Sequence, residues 1–224
     1  MTSSLVLLSG GLDSAANLAL AYEAGHTVTA LQLFYGQKAS ESERRASQDL
    51  ADYYGAYYQS LEIPWLKDLG SSALTHDEND VPLLKQDELD TMSTITASAK
   101  AVWVPNRNGI FIQVAAAYAE SEKIDQILVG FNREEAATFP DNTVEFMEQS
   151  TRALAYSTAT HVRVNSFTAE MNKSEMVAAL TCLKRKPFPF SKVWSCYFSG
   201  DEICRECESC GRFLRALQSQ GVAY

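Results

Sequence analysis

Two groups of residues in this chain have the types and spacing that chemistry requires. The first is Ser9-Gly10-Gly11-Leu12-Asp13-Ser14, which follows an apolar run at 4–8 and opens an Ala- and Leu-rich stretch at 14–23. That order reads as strand, tight turn and helix. Paired glycines let the backbone bend sharply and bring successive N–H groups to bear on an anion, and the helix start adds unsatisfied donors and partial positive charge. Phosphate is the natural guest. Ser9 and Ser14 have hydroxyls to donate, and Asp13 can hold Mg²⁺ against phosphates or cap the helix. The string has neither the Lys of a Walker A loop nor the G-x-G-x-x-G of a dinucleotide fold.

The second group is Cys196, Cys204, Cys207 and Cys210, four of the five cysteines. Four sulfurs at about 2.3 Å around one tetrahedral cation make a closed, structural Zn²⁺ site. An iron–sulfur cluster is the rival, and the compact C-x2-C-x2-C spacing favours zinc. Such a site would tie the last helix to the segment around Trp194 and supply folding energy. Cys182 falls on an apolar helical face and reads as core.

The elements that must hold these groups alternate. After the first strand and helix come a strand at 27–33, a polar helix at 40–54 and a strand near 56–62. Residues 65–101 read as an irregular or partly helical insertion. A helix at 108–120, a strand at 126–130, a helix at 143–157, a short strand at 161–165 and helices at 173–183 and 210–218 follow. A βαβαβ start implies a parallel sheet with helices on both faces.

Composition narrows the class. With 224 residues, 46% hydrophobic and 21% charged, the chain is long enough for one globular domain with a sizeable core. No stretch approaches the roughly 18 apolar residues of a membrane span, and no signal peptide is legible, so a cytoplasmic protein is expected. A formal charge of -9 argues for a small substrate over a nucleic acid, which is usually met with a basic face.

The S-G-G-x-D-S string on a strand-to-helix turn resembles the PP-loop of the N-type ATP pyrophosphatases. The resemblance implies a three-layer α/β fold, adenine nucleotide alpha hydrolase-like, with a mostly parallel five-stranded sheet. It implies ATP with its pyrophosphate on the loop, in contact with Leu8, Ser9, Gly10, Gly11, Leu12, Asp13 and Ser14. Ala15, Ala16, Asn17 and Leu18 extend that contact along the helix, and adenine lies at the end of the second strand near Leu33. Lys173 matches a lysine near the phosphates, and Asp13, Ser14 and Lys173 are the catalytic candidates.

Further strings narrow the branch. Tyr35-Gly36-Gln37, Val104-Pro105-Asn106-Arg107-Asn108, Phe139-Pro140-Asp141 and Trp194-Ser195-Cys196-Tyr197, followed by C-x2-C-x2-C, are similar to the QueC family over nearly the full length. That family makes 7-cyano-7-deazaguanine from 7-carboxy-7-deazaguanine, ammonia and ATP on the route to queuosine. By the same resemblance, residues 1–224 form one domain with a metal segment at 194–212, and two copies pair as a homodimer. The base pocket would use Asp141 first and Glu135 second to accept from the guanine-like edge, Arg107 to meet a carboxylate or phosphate, and Phe139 to stack. Glu135 to Thr143 departs from the family's usual D-x-S-G-Y-P-D-C-R, and Lys38-Ala39 replaces its R-H. A relative that attaches a deazaguanine to another acceptor therefore stays open, as do a tRNA-modifying PP-loop enzyme and a non-catalytic ATP-binding module.

Overall fold

The structure, a computed structural model, describes residues 2–76, 80–84, 89 and 91–224. Five strands form one sheet: β1 (Ser3–Leu7), β2 (Thr27–Phe34), β3 (Tyr57–Glu62), β4 (Gln126–Leu128) and β5 (Arg163–Asn165). Their order is β3-β2-β1-β4-β5, and every pairing is parallel. Parallel neighbours need crossovers, which helices supply here. α1 (Leu12–Glu23) and α2 (Ser40–Tyr54) join the first three strands, and α3 (Met92–Val102) and α4 (Arg107–Ser121) lead to β4. The short α5 (Arg133–Ala136) and α6 (Val144–Ser157) lead to β5, and α7 (Lys173–Thr181) and α8 (Glu208–Ser219) complete the chain.

Alternation along the strands divides the core in two. Val6, Ala30 and Leu128 point to the layer of α1, α2, α7 and α8, while Leu5, Leu31 and Ile127 point to the layer of α4 and α6. All six are at most 1% exposed. Burying each Leu or Ile of this set contributes about 1.5–3 kcal/mol, which is why the strands are apolar on both faces.

Sheet order sets the site. The chain builds outward from β1 to β3, then returns to lay β4 and β5 on the other side of β1. The carboxyl ends of β1 and β4 therefore diverge, leaving a crevice at the reversal, the usual place for ligands in open α/β sheets.

Several expectations need adjustment. α1 begins at Leu12, two residues earlier than its Ala/Leu periodicity suggests, because Gly11 already serves as its N-cap. α8 likewise begins at Glu208, before Cys210. The insertion holds a 3₁₀ turn, Pro64–Asp68, and α3; the expectation at 77–79, 85–88 and 90 lies outside the described residues. Cys182 is exposed, not core, since α7 ends at Thr181 and the thiol sits past its apolar stripe. Among the described residues no helix is long and apolar enough to cross a membrane.

Candidate active site

The glycine turn is built as a cradle. Gly10 has φ +83, a left-handed conformation that costs little only without a side chain, and a Cβ there would lie 2.8 Å from the Ala46 Cβ. The Ser14 hydroxyl donates to the Gly11 carbonyl at 3.1 Å and accepts from the Ser9 N–H at 3.2 Å, closing the turn on itself. Ser9 itself is exposed. The first-turn N–H groups of α1 have no intrahelical partner by geometry; that of Leu12 donates to the Ser195 hydroxyl at 3.2 Å, and those of Asp13 and Ser14, with the helix dipole, are left for the crevice. Gly130, just past β4, lets the end of that strand approach the first turn of α1: a Cβ there would sit 2.8 Å from the Ser14 nitrogen.

Three charges meet at this turn. Lys173 Nζ lies 2.6 Å from Asp13 Oδ2 and 3.0 Å from Glu135 Oε1. The local sequence aims each one. Asn172 caps α7 with a reciprocal bond to Glu175, which makes Lys173 the first helical residue, and Asn132 caps α5 by accepting from the Glu135 N–H at 3.0 Å. Lys173 is only 8% exposed, so it is a buried partner of two carboxylates rather than a surface lysine.

Burial would lower the Lys173 ammonium, but Asp13 and Glu135 outweigh it and hold the group well above its usual value. Burial would raise Glu135, yet Lys173 and the Asn132 amide keep it low. Asp13 goes the other way: burial, against the pull of Lys173, lifts it to about 6. Its Oδ1 is buried with no hydrogen-bond partner among the described groups. An unpartnered carboxylate oxygen beside an anion cradle is the donor a hard divalent cation takes, so Asp13 fits Mg²⁺. Asp13 is no helix cap, because Gly11 holds that place.

Two adjoining cavities open from the turn. The first, about 230 Å³, runs over the ends of β1 and β2 past Leu8, Leu31, Leu33, Tyr35 and Phe111. The second, about 210 Å³, lies between Trp103, Phe139 and Asp141 on one side and α8 on the other, with Arg212 at its wall. Ser9, Gly11, Asp13, Glu43, Arg107 and Glu135 border both. Arg107 Nη1 donates to the Tyr35 hydroxyl at 3.2 Å. Burial works against its charge, and Tyr35, Asp141 and Glu135 hold it above the usual value. The Trp103 and Phe139 rings are nearly parallel, 6° apart in plane with centroids at 6.2 Å. Burial raises Asp141, partly opposed by Arg107.

The sequence candidates thus divide. Ser9, Gly11, Asp13, Ser14, Leu8 and Leu33 line the first cavity, and Leu12, Lys173, Phe139 and Asp141 the second. Ala15, Ala16 and Leu18, expected beside the nucleotide, are instead fully buried in the core. Asn17 is engaged inside, its amide donating to Thr168 at 2.8 Å and accepting from the Phe167 N–H at 2.8 Å. α1 carries these four residues behind the turn, and none of them lines either cavity. Glu43, Trp103 and Arg212 were missed. Glu43 sits one turn into a polar helix and Trp103 just after the insertion, and neither lies in a string that marks a site.

Cys196, Cys204, Cys207 and Cys210 converge, with all four sulfurs within 4.8 Å of one another. Sulfurs at 2.3 Å from one tetrahedral centre stand about 3.8 Å apart, and Cys204 and Cys210 are 3.8 Å apart. Backbone N–H groups of Phe198 and Cys204 point at the Cys196 sulfur, and those of Glu206 and Cys207 at the Cys204 sulfur. Hydrogen bonds from Cys207 and Cys210 push Cys196 down to about 2, while the bond to Cys196 lifts Cys207 to about 12. The donor set fits one thiophilic cation.

Known proteins are similar over nearly the whole chain. A 7-cyano-7-deazaguanine synthase from Pelotomaculum thermopropionicum is 45% identical over 219 residues, 98% of each chain. One from Bdellovibrio bacteriovorus is 45% identical over 97% of this chain and 94% of its own. An archaeal synthase from Methanosarcina mazei is 39% identical over 97% and 94%. Among solved structures, NMN synthetase from Francisella tularensis covers the whole chain and 78% of its own at 13% identity, with a TM-score of 0.47, a likeness too loose to speak of function. The family described as queuosine biosynthesis protein QueC matches residues 3–221, and the chain belongs to it.

Proposed function

We propose that this protein is a 7-cyano-7-deazaguanine synthase, converting 7-carboxy-7-deazaguanine and ammonia to the nitrile with two ATP cleaved to AMP and pyrophosphate. The observation that carries this reading is the Asp13, Lys173 and Glu135 cluster at the glycine turn, open to both cavities. ATP would lie in the first cavity, its phosphates on the turn and its adenine against Leu31 and Leu33. The deazaguanine acid would lie in the second, its ring by Trp103 and Phe139 and its amine edge on Asp141. Arg107, bordering both, would hold the carboxylate toward the α-phosphate.

A carboxylate is a poor electrophile, so its oxygen first attacks the α-phosphorus and pyrophosphate leaves. Ammonia displaces AMP from the acyl adenylate to give the amide. The amide oxygen then attacks a second ATP, and its loss as AMP leaves the nitrile. Mg²⁺ on Asp13 would neutralise charge as pyrophosphate departs, while Lys173 and the loop N–H groups hold fixed positive charge where it is needed. The sulfur spacing supports zinc over an iron–sulfur cluster, whose irons would each take one thiolate farther apart. In this reading residues 1–224 act as one domain in a cytoplasmic homodimer, with no nucleic acid bound. Cys182, the one thiol outside the cluster, lines neither cavity, which speaks against a sulfur-transferring tRNA enzyme.

Purified protein with ATP, Mg²⁺, ammonium and the acid should form AMP only when the acid is present, with the nitrile seen by mass spectrometry. Asp13→Ala should abolish AMP release while the protein stays folded. Binding of ATP without acid-dependent AMP would mark a non-catalytic module and end this reading.

A further inference from the structure

Nitrile formation is demanding in protons. Ammonium must lose one before its nitrogen has a free electron pair, and the amide nitrogen must lose two more before a triple bond forms. A base is needed beside that nitrogen in both halves. Of the carboxylates lining the two cavities besides Glu43, Asp13 and Glu135 each grip Lys173, Glu208 pairs with Arg212, and both Glu208 and Asp141 line only the second cavity.

Glu43, near the start of α2, lies where both cavities meet. Among the described residues no cationic nitrogen lies within 4 Å of its carboxylate. Its one hydrogen-bond donor there is the Gln37 side-chain amide, at 2.8 Å, and the Gln37 Oε1 is fixed in turn by the Tyr35 N–H at 2.9 Å. We propose that Glu43 is the catalytic base for the nitrogen, taking the proton from ammonium in the first half-reaction and from the adenylated amide in the second.

This rests on the reaction proposed above. In the first half an ammonium N–H bond breaks to the carboxylate, the freed pair forms the C–N bond, and the C–O bond to AMP breaks with its electrons leaving on the phosphate. The surplus proton on the new amine passes to that phosphate. In the second half, attack of the amide oxygen on the α-phosphorus of ATP expels pyrophosphate, and loss of one N–H proton gives an adenylated imidate. Loss of the last N–H proton forms the C≡N bond as the C–O bond breaks and AMP departs. Glu43 returns each proton to solvent through the open cavity.

The group is poised for this. Burial, against the Gln37 hydrogen bond and the Arg107 charge, pushes the carboxyl up to about 7, and Tyr35 and Arg107 are the titratable groups that face it. A base near the operating pH divides its time between accepting and releasing protons.

The test compares ammonium with hydroxylamine, whose nitrogen is uncharged at pH 7 and attacks without prior deprotonation. In the full-length enzyme, Glu43→Gln should cut amide and nitrile formation from ammonium by roughly 100-fold or more, while hydroxamate formation stays within about threefold of wild type. With ammonium, the wild-type rate should level off above about pH 7, whereas the variant's keeps rising about tenfold per pH unit with free ammonia. Glu43→Asp should give an intermediate ammonium rate with hydroxamate formation intact. Nitrile formation from ammonium at the wild-type rate in Glu43→Gln overturns the proposal. So does equal loss of hydroxamate in both variants, which would place Glu43 in adenylation or folding. If wild type forms no AMP with either nitrogen donor, the parent reading fails first.

Discussion

The backbone N–H of Trp194 donates to the carbonyl oxygen of Gly10 at 2.8 Å. The next residue, Ser195, accepts from the Leu12 N–H at 3.2 Å, and the one after is Cys196. The cysteine cluster therefore grips the anion cradle from behind. Stripping the metal with a strong chelator should lower the thermal midpoint by more than about 5 °C, or about 2 kcal/mol at 2–4 °C per kcal/mol for this size. It should also weaken ATP binding about tenfold by calorimetry. Unchanged affinity in protein verified metal-free would sever this link.

Removing the shared cation exposes the two carboxylates to each other. In Lys173→Met, breaking a buried pair should cost about 3–5 kcal/mol near neutral pH. With Lys173 gone, both carboxyls have folded pKa values above their unfolded ones, so the stability they contribute is present at low pH and lost as pH rises through the folded values. The variant should thus melt higher at pH 5 than at pH 8, and AMP release should fall at least 100-fold. Scanning calorimetry across that range decides; a variant most stable at pH 8 contradicts the cluster.

Gly130 has no room for a methyl group, because a Cβ would lie 2.8 Å from the Ser14 nitrogen and 3.1 Å from the Asp13 carbonyl carbon. The contact is backbone, which cannot rotate aside. Gly130→Ala should cost about 1–3 kcal/mol in urea unfolding and raise the KM for ATP by displacing the start of α1. A stable variant with normal KM would show that the start of α1 moves freely from the end of β4.

Asp141 borders the second cavity and is absent from the lining of the first. Asp141→Asn should therefore raise the KM for the deazaguanine acid roughly 10- to 100-fold, the worth of a charged hydrogen bond, and leave the KM for ATP within about twofold. Equal rises in both constants would remove Asp141 from base recognition.

What the sequence alone determined was local. Ser9 to Ser14 marked a tight strand-to-helix turn because a turn needs consecutive residues, and the cysteine spacing foretold four sulfurs close together because they fall within one short segment. The alternation of apolar runs with helical stretches likewise gave the parallel sheet. Tertiary structure decided the rest. Lys173 meets Asp13 across 160 positions, a pairing that no periodicity encodes. Ala15, Ala16 and Leu18 look like part of the loop in one dimension, yet a helix turns 100° per residue and buries them. Glu43 reached the site only because β1 and β2 are neighbours and α2 begins at their shared end. A reacting centre is a meeting of side chains in space, and only the order in which strands pack fixes who meets.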